Sequence, residues 1–326
     1  MKKALITGIN GQDGSYLAEL LIKKGYKVYG TLKRNSVYEN QTFRLDNILY
    51  KQLLKKDLFY ADMTDMASLL KVVQVVKPDE VYNLAAQSHV RISFDQPIYT
   101  SQVVGLGFLN LLESVRLMDK SIKIYQASSS EMFGNSMDED GYQRETTPMH
   151  PASPYGCAKV YAYNISCNYR NSYDMYISNG ILFNHESPRR GTNFVTNKVV
   201  KEAVRIKKGL SDKLMLGNLD ATRDWGHAKD YVRAMVMILE QDNPDDYVCA
   251  TGVSHSVGDL CDYTFSSLDL DYRDFVGVDE KYYRPEELVD LKGDSSKLKS
   301  IGFKTEYTFE TMIDEMINYW KKFYEL

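Results

Sequence analysis

Tyr155 and Lys159 stand four positions apart in the stretch "SPYGCAKVYA", residues 153–162. Residues at this spacing share one face of a helix, where the lysine ammonium favours the ionised form of the phenol and lowers its pKa. A phenolate formed in this way can accept a proton from an alcohol. The same spacing also occurs in helices without catalytic function, so the pair alone leaves a structural role open.

A row of polar residues lies upstream of this pair. The stretch "ASSSEMFG" places Ser128, Ser129, Ser130 and Glu131 directly after an apolar run. Ligands of open α/β folds bind at the carboxyl edge of the sheet, where this row is expected to lie. Serines at strand ends commonly form caps or turns, and a glutamate is commonly solvated. Together with the downstream tyrosine and lysine, however, the row predicts a catalytic site beside a cofactor.

A glycine-rich turn opens the chain. In "TGINGQDGSY" the glycines Gly8, Gly11 and Gly14 follow an apolar run and precede a helical pattern. Glycines at such a turn let a pyrophosphate approach the backbone at the N-terminus of the helix. An ordinary turn is the alternative, but the position inside a βαβ unit favours dinucleotide binding.

The second strand ends in cations. An acidic residue at this position would bind a ribose 2′-hydroxyl, but "GTLKRNS" offers Lys33 and Arg34. Cations there suit a 2′-phosphate and favour NADP over NAD, with solvated surface charges as the alternative. Asp62 ends the third strand, where it suits either an adenine contact or a helix cap.

The elements that must position these residues alternate along the chain. Strands are predicted at "KKALIT", "KVYGTL", "DLFYAD", "EVYNLAA", "IKIYQASSS" and "MYISNGILFN", and helices at "GSYLAELLIKKGY", "ASLLKVVQVV" and 153–173. The last helix is expected to start near Ser153 and Pro154, a cap followed by a first-turn proline. This alternation predicts an α/β fold with a Rossmann-type, doubly wound parallel sheet.

Two lobes are expected. Residues 1–184 are predicted to form the NADP-binding Rossmann domain, and residues 185–326 mainly a smaller C-terminal substrate-binding lobe. "DDYVCATG" is a candidate strand of the main sheet, so segments near 225–252 are expected to return to the first domain. Helices are predicted at "NFVTNKVVKEAVRIKKG", "KDYVRAMVMILEQ" and "FETMIDEMINYWKKFYEL".

Composition narrows the functional classes. The 326 residues are 44% hydrophobic, and a net charge of −4 with interspersed signs argues against a nucleic-acid partner. The N-terminal apolar run is too short for a signal peptide, and no stretch has the length of a membrane helix, which predicts a soluble cytoplasmic protein. The cysteines and histidines lack the spacing of a metal site, so no catalytic metal is expected. The thiols are expected to be reduced. The cysteines are Cys157, Cys167, Cys249 and Cys261.

Longer segments carry a resemblance to a known family. The chain resembles the extended short-chain dehydrogenase/reductases, also called the NAD(P)-dependent epimerase/dehydratase family, and within them most closely the GDP-mannose 4,6-dehydratase family across nearly its whole length. The segments are "ALITGINGQDGSYLAELL", "VYNLAAQSHVRISFDQP", "ASSSEMFG", "SPYGCAKVYAY", "NGILFNHESPRRGTNFVT", "LGNLDATRDWGHAKDYV", "ATGVSHSV" and "KYYRPEELVDLKGD". Among these, "NHESPRRG" and "RDWGHAKDYV" discriminate best.

The resemblance implies a role for individual residues. Ser129, Glu131 and Tyr155 fall on catalytic positions, and Lys159 supports the tyrosine and binds the nicotinamide ribose. The positions that bind NADP in the family correspond to Gly8, Asn10, Gly11, Gln12, Asp13, Arg34, Asp62, Met63, Leu84, Ala85, Ala86, Gln87, Ser88, Tyr99, Lys159, His185 and Arg190. Nucleotide-sugar contacts correspond to Asn184, Asn193, Lys198, Arg223 and Arg284.

Two departures from the family pattern are visible. The family commonly has threonine at the position of Ser129; the hydroxyl is kept, but serine has a freer rotamer. The "KRNS" segment stands where many members carry "RRSS", which keeps Arg34 but puts other 2′-phosphate contacts and the subunit contacts of that loop in doubt.

The implied reaction is a redox-neutral dehydration. A lyase of this family converts GDP-D-mannose to GDP-4-keto-6-deoxy-D-mannose by C4 oxidation, elimination of water across C5 and C6, and return of the hydride to C6, with NADP. The resemblance also implies that the protein acts in nucleotide-sugar metabolism and deoxysugar biosynthesis. It further implies that the protein assembles into a homodimer or a homotetramer.

Other functions remain open from the sequence. The same dehydration could act on GDP-D-glycero-D-manno-heptose, because the catalytic groups would be unchanged. A sugar 4-epimerase or a hydroxysteroid-type dehydrogenase would keep the glycine turn with Tyr155 and Lys159 but would not need Glu131. A noncatalytic dinucleotide sensor would be expected to lose the acid–base residues. The candidates Ser129, Glu131, Tyr155 and Lys159 are all present here.

Overall fold

The apolar runs near the N-terminus form the strands of one parallel sheet. The computed structural model describes residues 1–34, 42–45, 51, 56–283, 286, 288 and 290–325. Within them, seven strands pair in the order β10-β6-β5-β4-β1-β2-β3, and each pair is parallel. The strands are β1 (Lys3–Thr7), β2 (Lys27–Leu32), β3 (Leu58–Tyr60), β4 (Glu80–Asn83), β5 (Lys123–Ser129), β6 (Ile177–Leu182) and β10 (Asp246–Cys249).

Helices cover both faces of this sheet. Adjacent residues of a strand point to opposite faces, and accordingly Leu5 packs in one hydrophobic cluster while Ala4 and Ile6 pack in another. Helices α1 and α8 cover one face, and α2, α5 and α6 cover the other. The predicted doubly wound α/β fold is therefore confirmed.

Half of the twelve helices in the described ranges coincide with segments that were predicted to be helical. The twelve are α1 (Gln12–Lys23), α2 (Met66–Val76), α3 (Val90–Asp95), α4 (Pro97–Ser101), α5 (Gly107–Met118), α6 (Pro154–Tyr173), α7 (Val195–Lys207), α8 (Ala228–Leu239), α9 (Val257–Ser266), α10 (Tyr272–Phe275), α11 (Ser296–Ser300) and α12 (Phe309–Phe323). A π-helical turn, Gln102–Leu106, joins α4 to α5. The sequence analysis predicted no helix for the stretch from α3 to α5 or for α9, α10 and α11.

Two small sheets lie beyond the sixth strand. Strands β7 (Asn184–Glu186), β9 (Thr222–His227) and β11 (Ser254–Ser256) form one, and β8 (Leu214–Leu216) and β12 (Val276–Val278) form the other. Helices α7, α9 and α12 share a separate hydrophobic core with Trp225. The chain returns to the large sheet at β10, and the division into domains at residue 184 stays a prediction.

Helix α6 is fastened to the large sheet by a buried polar cluster around Asp246. The carboxylate accepts hydrogen bonds from the Tyr163 hydroxyl at 2.9 Å, from Arg170 Nη2 at 2.5 Å and from Asn179 Nδ2 at 2.7 Å. Asn179 Oδ1 in turn accepts from the Ser128 hydroxyl at 3.2 Å. The cluster thereby links the helix that carries Tyr155 to the end of β5.

Of the helices in the described ranges, none combines the length and the apolar character that a membrane crossing requires.

Candidate active site

One cavity of about 960 Å³ opens at the carboxyl ends of the central strands, facing the small sheets. Residues from the ends of β1, β4, β5 and β6 line one side of it, and residues from β7 to β9 line the other. The position agrees with the rule that ligands bind outside the carboxyl ends of strands in open α/β sheets.

The glycine turn forms one wall of the cavity. Gly8 has a φ of +67°, and a Cβ there would lie 3.0 Å from Ala85 Cα. A Cβ on Gly14 would lie 2.5 Å from the Gly8 carbonyl oxygen. Gly11 precedes α1 and provides no side-chain cap, so the first-turn amides can serve an anion in the cavity. The turn thus has the shape that a dinucleotide diphosphate requires.

The predicted catalytic residues meet in this cavity. Ser129 ends β5, and its hydroxyl accepts a hydrogen bond from the Glu131 amide at 3.3 Å within the turn that follows. Helix α6 begins as predicted, with the Ser153 hydroxyl accepting from the Gly156 amide at 3.0 Å. This start places Tyr155 and Lys159 on the cavity wall, and all four catalytic candidates line it.

Burial dominates the titration of the catalytic pair. Desolvation raises the pKa of Tyr155 well above its usual value, although a hydrogen bond with Ser129 and the charge of Arg190 act against the rise. Burial lowers the pKa of Lys159 to about 8. The lysine ammonium donates to the Ala127 carbonyl at 2.5 Å and lies 5.7 Å from the centre of the Tyr155 ring. Burial therefore outweighs the lowering of the tyrosine pKa that was expected from the lysine.

Most predicted cofactor residues also line the cavity: Gly8, Asn10, Gly11, Gln12, Asp13, Asp62, Met63, Leu84, Ala85, Ala86, Ser88, Tyr99, Lys159, His185 and Arg190. Gln87 instead organises the adjacent loop, where its amide nitrogen donates to the His89 carbonyl and the Thr100 hydroxyl. Arg34 is exposed and lies outside the lining. The binding roles of these residues stay predictions.

Lys33 reaches the cavity at the end of β2. Its ammonium hydrogen-bonds the Tyr99 hydroxyl at 2.5 Å and lies 3.4 Å from Asp62 Oδ2. Asp62 also accepts from the Thr64 amide and hydroxyl at 3.0 and 2.8 Å. Of the two predicted cations, Lys33 is therefore the one that lines the cavity.

A buried contact between His185 and Asp13 ties the glycine turn to β7. His185 Nε2 lies 2.8 Å from Asp13 Oδ2, and Gln12 Nε2 donates to the His185 carbonyl at 3.1 Å. Burial opposes both charges, but the two groups stabilise each other, so the pKa of Asp13 is lowered and that of His185 is raised. The cofactor turn and the far wall of the cavity are thus held together.

The predicted substrate residues lie on that far wall. Asn184, Asn193, Lys198 and Arg223 line the cavity, whereas Arg284 lies outside the described residues. Lys198 Nζ donates to the Met215 carbonyl at 2.6 Å, and Arg223 Nη1 donates to the carbonyls of Thr222 and Leu288 at 2.6 and 3.1 Å. Two cations held in place can neutralise a diphosphate.

Several lining residues had no sequence prediction. Examples are Glu186, Phe194, Asn218, Lys281 and Tyr282. Each of these residues lies inside or beside a segment that carried the family resemblance. That resemblance was the feature of the sequence from which they could have been predicted. Among the described residues, the structure has no group of three or more histidine, cysteine or carboxylate side chains arranged to bind a metal.

Known proteins resemble this chain over nearly its whole length. The family model described as GDP-mannose 4,6 dehydratase matches residues 5–316. GDP-mannose 4,6 dehydratase 2 of Arabidopsis thaliana is 50% identical, covering 97% of this chain and 86% of the relative. The GDP-mannose 4,6-dehydratase of Vibrio cholerae is 47% identical, covering 97% and 93%.

Solved structures share the architecture at lower identity. The dTDP-glucose 4,6-dehydratase of Bacillus anthracis in complex with NAD superposes with a TM-score of 0.82 at 22% identity, covering 100% of this chain and 98% of that one. The UDP-glucose 4-epimerase of Thermus thermophilus in complex with NAD gives 0.83 at 22%, covering 98% and 99%. At such identities the likeness concerns the fold alone.

Proposed function

Because the chain belongs to the GDP-mannose 4,6-dehydratase family and is a hydro-lyase, we propose that it converts GDP-D-mannose to GDP-4-keto-6-deoxy-D-mannose with NADP. The family resemblance predicted from the sequence is confirmed. The observation that carries the proposed reaction is the placement of Glu131, buried in the same cavity as Tyr155 and Lys159. Oxidation at C4 alone needs no such carboxylate, whereas elimination of water needs a group that moves a proton at C5.

The glycine turn fits a dinucleotide cofactor. A Cβ on Gly8 or Gly14 would collide with the backbone of Ala85 or with the Gly8 carbonyl, so only glycine permits the tight path by which the turn reaches the N-terminus of α1, where a diphosphate would bind. The ammonium of Lys159 is the candidate partner of the nicotinamide ribose. When bound, the nicotinamide supplies an acceptor for the C4 hydride and returns that hydride to C6.

Tyr155 is the proposed base for the sugar 4-hydroxyl. Its phenol is buried, and Ser129, which also lines the cavity, carries a hydroxyl that is the candidate partner of the same sugar oxygen. The raised pKa makes a phenolate in this site a strong base, and the Lys159 ammonium and the Arg190 guanidinium are the charges that stabilise it. Proton transfer from the 4-hydroxyl to Tyr155 accompanies the loss of the C4 hydride.

Glu131 is the proposed acid–base group for the elimination. The ketone at C4 acidifies the C5 proton, which the Glu131 carboxylate removes. The same carboxyl then donates that proton to the 6-hydroxyl, so the C6–O bond breaks and water leaves. The hydride returns to C6, C5 takes up a proton from solvent, and Tyr155 releases to solvent the proton that it took from the 4-hydroxyl, which completes the 6-deoxy sugar.

Lys198 and Arg223 are the proposed partners of the GDP diphosphate. Backbone carbonyls hold both cations, so their donors are already oriented on the cavity wall. Charge-assisted hydrogen bonds from fixed cations suit phosphate oxygens. Cytoplasmic location and assembly into a homodimer or homotetramer stay predictions.

The direct test is product formation from a purified sample. Incubation with GDP-mannose and NADP is expected to give a sugar nucleotide that has lost one water, detected by mass spectrometry. GDP-manno-heptose in a parallel reaction tests whether the pocket admits a seventh carbon. Loss of water from neither sugar would contradict the proposed reaction.

We predict that the protein binds NADP(H) more tightly than NAD(H). Lys33, which lines the cavity, and Arg34 stand where an acidic residue would otherwise bind the ribose. A charge-assisted hydrogen bond contributes about 1.5–3 kcal/mol, so Lys33→Ala and Arg34→Ala should each weaken NADPH binding by about ten- to a hundredfold. NADH binding should change little, and titrations that follow the reduced nicotinamide measure both affinities.

Lys120→Ala is the matched control for this prediction, because Lys120 is an exposed lysine in the turn before β5. It should leave both affinities unchanged. Equal losses for NADPH and NADH in the Lys33 and Arg34 variants would argue against contacts with a 2′-phosphate.

A further inference from the structure

A second buried carboxylate, that of Glu186, lines the cavity. Glu186 ends β7, and its residue surface is only 1% exposed. The proposed reaction uses Glu131 for proton transfer and leaves Glu186 without a function. A buried carboxylate is costly unless it is paired and hydrogen-bonded, so its partners indicate why it is there.

Two groups contact the same oxygen of Glu186. The Thr196 hydroxyl donates to Oε2 at 2.5 Å, and Arg190 Nε lies 3.1 Å from that oxygen. Burial raises the pKa of Glu186, and the Arg190 charge and the Thr196 hydrogen bond act against this rise. The carboxylate therefore depends on Arg190 as its ionic partner, and Thr196 fixes its orientation.

Arg190 is held from several directions. Its guanidinium carbon lies 3.7 Å from the centre of the Phe194 ring. Its amide donates to the Ser187 carbonyl at 3.0 Å, and its own carbonyl accepts from Asn197 Nδ2 at 2.5 Å. Glu186 is the anionic contact of its side chain within the described residues, and it lies at the Nε edge of the guanidinium.

The guanidinium of Arg190 has two terminal nitrogens besides Nε. The two terminal nitrogens make no hydrogen bond with residues in the described ranges, while Arg190 lines the cavity with Asp13 and Tyr155. The positive charge of Arg190 acts to lower the pKa of both Asp13 and Tyr155. A planar fork of free donors next to the glycine turn matches two phosphate oxygens.

We propose that Glu186 is a positioning residue, which orients Arg190 so that its terminal nitrogens bind a diphosphate in the cavity. The inference rests on the proposed function, in which both ligands carry a diphosphate: the dinucleotide cofactor and the GDP-sugar. Neutralising Glu186 removes the anionic contact at the Nε edge and leaves the contact with the Phe194 ring, so the bound diphosphate loses the interaction that sets the direction of the two terminal nitrogens.

A double-mutant cycle tests whether Glu186 acts through Arg190. Glu186→Gln keeps the size and the hydrogen-bonding oxygen but removes the charge, and Arg190→Met removes the guanidinium. Coupled residues show strongly non-additive effects, so Glu186→Gln should weaken binding by about tenfold in the wild-type background and less than about twofold beside Arg190→Met. Glu186→Asp, which keeps the charge, should restore part of the affinity.

Separate titrations with NADPH and with GDP identify the diphosphate. A coupled loss for NADPH alone assigns Arg190 to the cofactor, and a coupled loss for GDP alone assigns it to the sugar nucleotide. Thermal unfolding of each variant measures any purely structural contribution, which would lower the melting temperature without coupling to Arg190.

Two results would overturn the inference while the proposed function stands. One is an equal loss of affinity from Glu186→Gln in both backgrounds, and the other is unchanged affinity for both ligands in an enzyme that still dehydrates GDP-mannose. Wild-type protein that binds neither NADPH nor GDP would contradict the proposed function, and the inference with it.

Discussion

Tyr155→Phe is expected to lower the dehydration rate by about 10²- to 10⁴-fold, the contribution typical of general acid–base catalysis. The change removes one oxygen from a buried residue and keeps the ring that packs against Val104 and Ala158. Without the phenol, no group is left to take the 4-hydroxyl proton during the first hydride transfer. Single-turnover absorbance at the reduced nicotinamide band should show no transient reduction of the cofactor.

Tyr161→Phe is the matched control, because Tyr161 lies on the same helix with 40% of its surface exposed. It should dehydrate GDP-mannose at the wild-type rate. Normal transient reduction of the cofactor in Tyr155→Phe would show that another group takes the proton.

The elements that carry the catalytic residues could be predicted from local signals. Strands of a sheet covered on both faces are nearly continuous apolar runs, and β1, with Ala4, Leu5 and Ile6, is such a run. The start of α6 could also be predicted from a local signal, because a serine cap followed by proline at the first helical position marks a helix N-terminus. These signals placed Ser129 and Tyr155 at the correct edge of the sheet.

The electrostatics of the site could not be predicted in the same way. Spacing alone suggested that Lys159 lowers the pKa of Tyr155, but the sign of the shift depends on how completely distant segments cover the phenol. In the folded chain burial raises the pKa of the tyrosine and lowers that of the lysine. Neither degree of burial is visible in a stretch of ten residues.

The far wall of the cavity was the least predictable part. Strands β7, β8, β11 and β12 have three residues each, too few for a periodic hydrophobic pattern. The contact of Glu186 with Arg190 and Thr196 joins a strand, a loop and the first turn of α7. Such a contact depends on the path of the chain between elements, which turn chemistry alone does not specify.

Glu131→Gln is expected to separate the oxidation of the sugar from the elimination of water. Glutamine keeps the size of this buried side chain but cannot remove the C5 proton, so water loss should slow by about 10²- to 10⁴-fold. Tyr155, Lys159 and Ser129 remain in place, so C4 oxidation should still occur. Reduced cofactor and a 4-keto hexose should therefore accumulate after substrate is added, and C5 should take up little deuterium from solvent.

The two blocked variants then differ in what they accumulate. Tyr155→Phe should stop before any change in nicotinamide absorbance, whereas Glu131→Gln should stop after it, with the 4-keto sugar detected by mass spectrometry. Glu139→Gln, at an exposed position in the loop after β5, is the matched control and should behave as wild type. If Glu131→Gln forms the 6-deoxy product at the normal rate, a different group moves the C5 proton, and the second buried carboxylate of the cavity, Glu186, becomes the residue to replace next.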